Sequence, residues 1–185
     1  PEDPYGRSKL AAERALGEIA AETGMRLVIL RPTFVYGWPA VGNFRTVVAA
    51  VRKGLPLPLS CIRNRRDMIY VGNLADAIRA ALEAETVGTG PYFVRDGEAV
   101  STTDLFRKTA RAFGTRARLF PLPAGILRLI GALTGRAGAV ERLTDSLEVD
   151  DAPFRRDAGW LPPYNMADGL KACADACLAA EGRRK

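Results

Sequence analysis

The 185-residue sequence contains no histidine. That absence excludes Ser-His-Asp triads, zinc sites with imidazole ligands and acid–base catalysis by imidazole. Only three cysteines are present, Cys61, Cys173 and Cys177, and no two of them form a C-x-x-C pair. Their spacing indicates neither a disulfide framework nor a metal site, and it favours a reducing compartment. We therefore expect no bound metal.

Long apolar runs are also absent. The longest lies around residues 124–133, is interrupted by Arg128, and is too short to span a bilayer. No signal peptide pattern is present, so we expect a cytoplasmic protein with no membrane partner. The net charge is +6, but the basic residues are scattered outside residues 63–66 and no aromatic motif lies among them. We therefore expect no nucleic-acid partner.

A glycine-rich turn is the third missing feature. Dinucleotide-binding folds hold the cofactor pyrophosphate on a G-x-G-x-x-G turn between a strand and a helix. Neither that pattern nor G-x-x-G-x-x-G occurs in the sequence. The chain therefore has no evident means of its own to bind the phosphates of such a cofactor.

The most informative residues present are Tyr5 and Lys9, four positions apart in a segment that predicts a helix over residues 4–23. Asp3 is the expected N-cap and Gly24 the expected stop. Both motif residues share a helix face with apolar positions, because a helix returns to the same side every three or four residues. Those positions are Ala12, Leu16 and Ile19. We expect this face to turn toward the protein interior.

A phenol and an ammonium one helical turn apart suit proton transfer. A free phenol has a pKa near ~10, and lowering it to ~7 requires about 4 kcal/mol. An ammonium ~4 Å away supplies about that much at an effective dielectric constant of ~20. The pair can then exchange a proton with a sugar or alcohol hydroxyl. The alternative is a helix that holds Tyr5 and Lys9 at this spacing by coincidence.

Three sequence blocks help to decide whether the Tyr5–Lys9 spacing is functional or coincidental. They are residues 5–9 (YGRSK), 31–37 (RPTFVYG) and 66–75 (RDMIYVGNLA). Together they resemble the extended short-chain dehydrogenase/reductase family of NAD-dependent nucleotide-sugar epimerases and dehydratases, from Pro4 to about Leu170. In that family the Y-x-x-x-K motif lies near mid-chain. The resemblance therefore implies the C-terminal part of a longer enzyme, without the glycine-rich N-terminal half.

The resemblance implies an α/β fold, the C-terminal portion of a doubly wound, Rossmann-type parallel sheet plus a smaller α/β substrate-binding domain. The apolar run at residues 25–30, ended by Pro32, independently predicts a central parallel strand. We expect residues 1–40 to end the Rossmann-type domain. Residues 41–185 would form mainly the substrate-binding domain, with some segments returning to the sheet.

The resemblance also assigns site residues. Tyr5 and Lys9 would be catalytic and would contact the cofactor, and Pro32 would pack against the nicotinamide. Phe34 would face the sugar nucleotide, although the family commonly has an asparagine there, and ordinary packing is the alternative. Asn43, predicted as a helix N-cap, would also hold the diphosphate.

By the same resemblance Arg66 would clamp this diphosphate, and arginine forks suit phosphate oxygens. Arg63 is a candidate assistant. The alternative for both arginines is a solvated basic strand end.

The implied activity is that of an NAD-dependent nucleotide-sugar epimerase, similar to UDP-sugar 4-epimerases, with NADP as a second option. Tyr5 would remove the sugar hydroxyl proton during transient hydride transfer, in polysaccharide precursor synthesis, and the enzyme would be a homodimer. This chain alone would be inactive. A nucleotide-sugar 4-keto reductase or dehydratase is the alternative within the family. A non-catalytic module that binds a nucleotide sugar or a protein is the alternative from another class.

Three local patterns complete the predictions. Asn73 is the expected cap of a helix that follows it. Ser101, with Asp104 three residues later, marks another helix start. The unusually apolar helix around residues 126–133 requires burial, between domains or between subunits.

Overall fold

A computed structural model describes residues 4–183; the predicted cap Asp3 and residues 184–185 lie outside the described part. The elements in chain order are α1 (Pro4–Thr23), β1 (Val28–Pro32), β2 (Phe34–Tyr36), α2 (Gly42–Arg52), β3 (Met68–Tyr70), α3 (Val71–Glu83), β4 (Gly90–Val94), α4 (Thr102–Ala112), α5 (Ala124–Leu133), α6 (Ala137–Thr144), α7 (Ala152–Ala158) and α8 (Met166–Gly182). No helix within residues 4–183 is long and apolar enough to cross a bilayer. The same residues contain no cluster of acidic or cysteine side chains that could hold a metal ion.

The four strands form two parallel pairs. β1 pairs with β4, with Val28 opposite Gly90, and β2 pairs with β3, with Phe34 opposite Met68. Parallel neighbours need long crossover connections, and helices supply them here. The expected α/β fold with parallel strands is confirmed.

Helix α1 begins and ends where the sequence predicts, and Gly24 leaves it with a φ of 70°. The predicted buried face is wrong: Tyr5 is 72% exposed, and Lys9, Ala12, Leu16 and Ile19 are exposed too. The helix instead turns a neighbouring row inward, and only Ala20 of that row is fully buried. That row consists of Gly6, Leu10, Glu13, Gly17 and Ala20. Glu13 of this row forms an ion pair with Arg31 of β1.

Strand β1 begins three residues later than the apolar run, at Val28, and Pro32 ends it as predicted. Residues 28–31 are only half-buried, and Met25 is 52% exposed. The reason is that, within residues 4–183, β1 has a strand neighbour on one edge only, β4. The apolar surface expected along residues 27–30 is thus partly open to solvent.

The hydrophobic core lies in the rest of the chain. The larger cluster packs β2 and β3 against α2, α4, α5, α6 and α8, and its most deeply buried members include Tyr36, Phe44, Met68, Ala110, Leu170 and Cys173. A smaller cluster joins β3, α3 and β4 to the C-terminal module through Ile69, Ala77, Val94, Phe154 and Trp160. No residue before Phe34 belongs to the larger cluster.

Two predicted helix caps are wrong. Helix α2 starts at Gly42, so Asn43 lies in its first turn, and the capping position is Val41. Helix α3 starts at Val71, which places Asn73 inside it. The predicted cap Ser101 is confirmed, since its side chain accepts a hydrogen bond from the amide of Asp104. Neither asparagine is needed as a cap, and both side chains are available for other contacts.

Candidate active site

Three residues predicted to contact substrate line one cavity. Phe34, Asn43 and Arg66 all border a space of about 360 Å³ between β2, α2, the loop before β3, and α6. Most of the wall is apolar and comes from the larger core cluster. These apolar wall residues are Val47, Ala50, Leu57, Leu59, Met68, Leu105, Phe106, Leu127 and Leu143. A cavity of this size with few polar groups is typical of a small-molecule site.

Arg66 is the half-buried cation of this cavity. Its Nη1 donates to the main-chain oxygens of Arg142 and Asp145, at 2.9 and 3.0 Å. Burial lowers the pKa of the Arg66 guanidinium, and the charge of Asp145 opposes that shift. The group is still a cation at neutral pH. Asp145 is itself paired with Arg128, at 2.7 Å.

Sequence reasoning missed a second cationic residue, Arg142, which lines the cavity from α6. No sequence motif marks it, because only the folding of α6 onto the wall brings it there. Arg66 and Arg142 together give the cavity two guanidinium groups on an apolar bed. Neither forms an ion pair with any residue in the described range 4–183. Two such groups can hold the oxygens of a diphosphate.

The segment that carries Arg66 is fixed by a buried asparagine, also missed. Asn64 donates to the hydroxyl of Thr102 at 3.1 Å and to the carbonyl of Asp145 at 2.9 Å, and accepts from the amide of Thr102 at 2.8 Å. The main chain of Arg66 pairs with that of Val100. These bonds connect the loop to α4 and α6. By contrast, Arg63 is exposed and does not border the cavity.

Phe34 and Asn43 give the cavity wall one aromatic and one polar side chain. Phe34 packs edge-on against Phe44, with ring centroids 6.5 Å apart at an interplanar angle of 81°. Asn43 is exposed in the first turn of α2, where helix amides have no intrahelical acceptors. The wall therefore offers a ring for stacking and an amide beside a helix N-terminus, which favours anions.

A half-buried carboxylate lies behind this wall. Asp96 accepts hydrogen bonds from the hydroxyl of Tyr36 at 2.7 Å, the amide of Tyr70 at 2.9 Å and the side chain of Asn73 at 2.7 Å. Burial raises the pKa of the Asp96 carboxyl, and the donors oppose that shift. Burial and the nearby carboxylate likewise raise the pKa of Tyr36. The network ties together the ends of β2 and β3, whose first residues line the cavity.

Tyr5 and Lys9 lie apart from the core, on the exposed face of α1. The ammonium of Lys9 is 5.9 Å from the centroid of the Tyr5 ring. Helix α1 is joined to β1 by an ion pair between Glu13 and Arg31. The Arg31 guanidinium lowers the pKa of the Glu13 carboxyl.

The residues expected to contact a nicotinamide cofactor are all accessible. Tyr5 and Lys9 share one face of α1, and Pro32 is exposed at the carboxyl end of β1, where open α/β sheets bind ligands. A phenol and an ammonium on an open face fit the hydroxyl-rich nicotinamide ribose. This sequence contains no glycine-rich turn that could bind the phosphates of such a cofactor.

Comparison with known proteins gives one family. A model described as the NAD dependent epimerase/dehydratase family matches residues 1–94, just over half of the chain. A UDP-glucose 4-epimerase of Vibrio cholerae is 37% identical over 184 residues, which are 99% of this chain and 56% of that protein. The chain thus spans about half the length of the curated relative that it matches.

Solved structures agree with this match. The UDP-glucose 4-epimerase of Thermus thermophilus, in complex with NAD, superimposes with a TM-score of 0.70 at 27% identity, over 97% of this chain and 55% of that one. A UDP-N-acetylglucosamine 4-epimerase from Bacillus cereus gives a TM-score of 0.72 at 20% identity, over 95% and 55% of the two chains. The second likeness concerns the fold alone.

Proposed function

The chain belongs to the NAD dependent epimerase/dehydratase family, and from that premise we propose that its native gene product is a nucleotide-sugar 4-epimerase. The relative from Vibrio cholerae, at 37% identity, acts by its name on UDP-glucose, which favours a UDP-sugar as substrate. The proposal extends to polysaccharide precursor synthesis in the cytoplasm by a homodimer. It divides the chain into residues 1–40 of the Rossmann-type domain and the mainly substrate-binding residues 41–185.

The observation that carries this proposal is the shared cavity of Phe34, Asn43, Arg66 and Arg142. A nucleoside diphosphate needs a flat apolar surface for its base and cations for its phosphates. Phe34 supplies an aromatic ring, and the two arginines supply the cations. Asn43 adds an amide at the start of α2.

The chemistry is assigned to Tyr5 and Lys9. NAD, when bound, supplies the acceptor and donor of a hydride; Tyr5, Lys9 and Pro32 would hold its nicotinamide end. The phenol of Tyr5 takes the proton of the sugar hydroxyl and later returns it. The Lys9 ammonium stabilises the phenolate by charge.

The alternatives differ in what they consume. A 4-keto reductase of the same family oxidises a reduced cofactor in each turnover, and a dehydratase releases water. A binding module without turnover needs only the cavity, not Tyr5. The exposed, accessible Tyr5–Lys9 pair favours an enzyme over a binding module.

The test is to incubate the purified native gene product with UDP-glucose and, separately, with UDP-N-acetylglucosamine, each with NAD, and to follow the sugar anomeric signals by proton NMR. We expect a mixture of the two C4 epimers of one substrate, with no net change in cofactor absorbance. Stoichiometric reduction of NAD, the reverse of a 4-keto reduction, would replace the epimerase by a reductase. A 4-keto-6-deoxy product would indicate a dehydratase instead of an epimerase. Binding of the nucleotide sugar without conversion would favour the non-catalytic binding module.

A further inference from the structure

A second cleft lies on the outer side of helix α2. It encloses about 460 Å³ between the loop after β2, helix α2 with the residue that follows it, and helix α8. The opposite side of α2 borders the candidate substrate cavity through Val47 and Ala50. One helix therefore separates the two spaces. We call the outer one the α2 cleft; its lining residues are Trp38, Ala40, Arg45, Val48, Ala49, Arg52, Lys53 and Cys177.

Two cations of the α2 cleft have no protein partner. Arg45 and Lys53 are exposed, and neither forms an ion pair or a side-chain hydrogen bond with a residue in the described range 4–183. Both lie on the same face of the helix as Ala49, because the three residues are spaced four apart. Among the described residues that line the cleft, none is acidic. The cleft therefore presents two positive charges without a counter-ion.

The third cation of the cleft, Arg52, already has its counter-ion. Its Nη1 and Nη2 donate to the carboxylate of Glu181 at 2.5 and 2.9 Å, and Nη1 also lies 3.4 Å from Sγ of Cys177. Both partners belong to α8, so the Arg52 side chain joins the two helices that border the cleft. The hydrogen bond to Glu181 raises the pKa of the Arg52 guanidinium. Arg52 thus fixes the cleft, and Arg45 and Lys53 are left to bind a ligand.

The remaining wall of the α2 cleft is apolar and partly aromatic. Trp38 is half-buried and packs against the larger core cluster, which anchors its ring. An anchored indole offers a flat surface on which a base can stack. The volume of the cleft lies within the range of about 300–1,000 Å³ that is typical of small-molecule sites. These features favour a ligand that combines a flat ring with an anionic group.

Other exposed surfaces lack this combination. The face of α5 that carries Leu129 and Leu133 is apolar and, against the prediction of burial, has no cover within residues 4–183. In the hollow between β1 and α3, the guanidinium of Arg26 is occupied by main-chain carbonyls of residues 81–84. In the hollow between α5 and α6, Arg128 is paired with Asp145.

We propose that the α2 cleft binds a nucleoside monophosphate, with the base on Trp38 and the phosphate between Arg45 and Lys53. A phosphate monoester carries a charge of about −1.5 to −2 at neutral pH, which matches the two unpaired cations better than a single carboxylate does. The arginine fork suits two phosphate oxygens, and the lysine adds a point charge. This second site is separate from the cavity assigned to the nucleotide sugar, and it does not depend on the proposed function.

The test is a tryptophan fluorescence titration of the 185-residue chain with GMP. The guanine base keeps this probe distinct from the uridine nucleotides of the proposed substrate. The chain contains two tryptophans, and Trp160 is buried in the smaller core cluster, so a change of emission on binding reports on Trp38. We expect saturable quenching in wild type and none in Trp38→Phe.

Charge variants assign the phosphate. Arg45→Ala should weaken GMP binding by about tenfold or more, the usual range for losing a charge-assisted hydrogen bond. Arg111→Ala is the matched control, an exposed arginine on α4 outside the cleft, and should change the affinity by less than about twofold. Arg66→Ala should also leave it within about twofold, because Arg66 borders the other cavity.

Four results would overturn the proposal. The first is no saturable binding of GMP to the wild-type chain by fluorescence or calorimetry. Equal losses in Arg45→Ala and Arg111→Ala would assign the binding to general positive charge. A loss in Arg66→Ala with none in Arg45→Ala would move GMP into the candidate substrate cavity. Inorganic phosphate that competes as strongly as GMP itself would show that the base contributes nothing.

Discussion

The two regions assigned to the proposed reaction differ in how they are held. The cavity is walled by the larger core cluster, with Phe44 only 1% exposed. Buried hydrogen bonds of Asn64 and half-buried ones of Asp96 reinforce it. Helix α1, which carries Tyr5 and Lys9, buries a single residue fully, Ala20. Binding and chemistry are thus assigned to parts of the chain with very different local stability.

This difference shows that a catalytic motif can be recognisable in sequence although its helix packs little against the rest of the described chain. Tyr5 and Lys9 are recognisable because proton transfer fixes their identity and spacing. Within residues 4–183, their helix is joined to β1 by the Glu13–Arg31 ion pair and buries one residue fully, Ala20. The cavity residues are less distinctive in sequence, yet the fold brings them together. Variants in the two regions should therefore have different effects.

The largest effect is expected from Tyr5→Phe in the native gene product. It should lower kcat for epimerisation by about 10²- to 10⁴-fold, because the phenol is assigned the proton transfer. Affinity for UDP should stay within about twofold of wild type by calorimetry, since Tyr5 does not line the cavity. Tyr164→Phe, another exposed tyrosine, is the control and should retain activity. Equal losses in the two variants would remove Tyr5 from the mechanism.

The second effect concerns stability. Phe44→Ala should lower the free energy of unfolding by about 3–5 kcal/mol, because it empties a fully packed site. Leu16→Ala on α1 should change it by less than about 0.5 kcal/mol, since Leu16 is 44% exposed. Urea denaturation of the two variants measures both values. A large cost at Leu16 would mean that α1 is part of the cooperative core, and the contrast between the regions would fail.

The third effect is on ligand affinity. Arg66→Ala should weaken UDP binding to the chain by about 10- to 100-fold, the usual range for losing a charge-assisted hydrogen bond. Arg63→Ala, three residues away and outside the cavity, should change it by less than about twofold. Arg66→Lys should lie between them, because it keeps the charge without the fork. Equal effects at Arg63 and Arg66 would assign the affinity to general positive charge.

The smallest effect is a pH dependence. Because burial raises the pKa of Asp96, the folded chain keeps this proton to higher pH than the unfolded chain does. The stabilisation is complete below the unfolded value of ~3.9 and is lost as pH rises through the folded value. From about pH 4 to 7, the free energy of unfolding should therefore fall for wild type relative to Asp96→Asn. The exposed carboxylate variant Asp175→Asn should show no such divergence; a rise for wild type relative to Asp96→Asn would contradict the assignment.

Local patterns predict the local structure well. The limits of α1, its stop at Gly24 and the Ser101 cap follow from short-range hydrogen bonds and glycine conformation, which depend on adjacent residues. The predicted cap at Asn43 is wrong by a small margin. Gly42 already lies inside α2, with φ at 54°, so the helix begins one residue before the position predicted for its cap.

Long-range features cannot be predicted in the same way. Asn73 and Asp96 are 23 residues apart, and Asn64 and Thr102 are 38 apart, so no periodicity links them. Arg142 enters the cavity only because α6 folds onto its wall. The inward row of α1 contains Gly6, Gly17 and Ala20, which add little hydrophobicity to the pattern. Periodicity counts apolar residues, and it misses such small ones.

Hydrogen exchange of the 185-residue chain with and without UDP compares the two regions in one measurement. We predict that UDP slows exchange in β2, α2 and residues 57–66, and in α6, while α1 exchanges quickly in both states. Protection that extends along α1, or no change around Arg66 at saturating UDP, would contradict the assignment of nucleotide binding to the cavity.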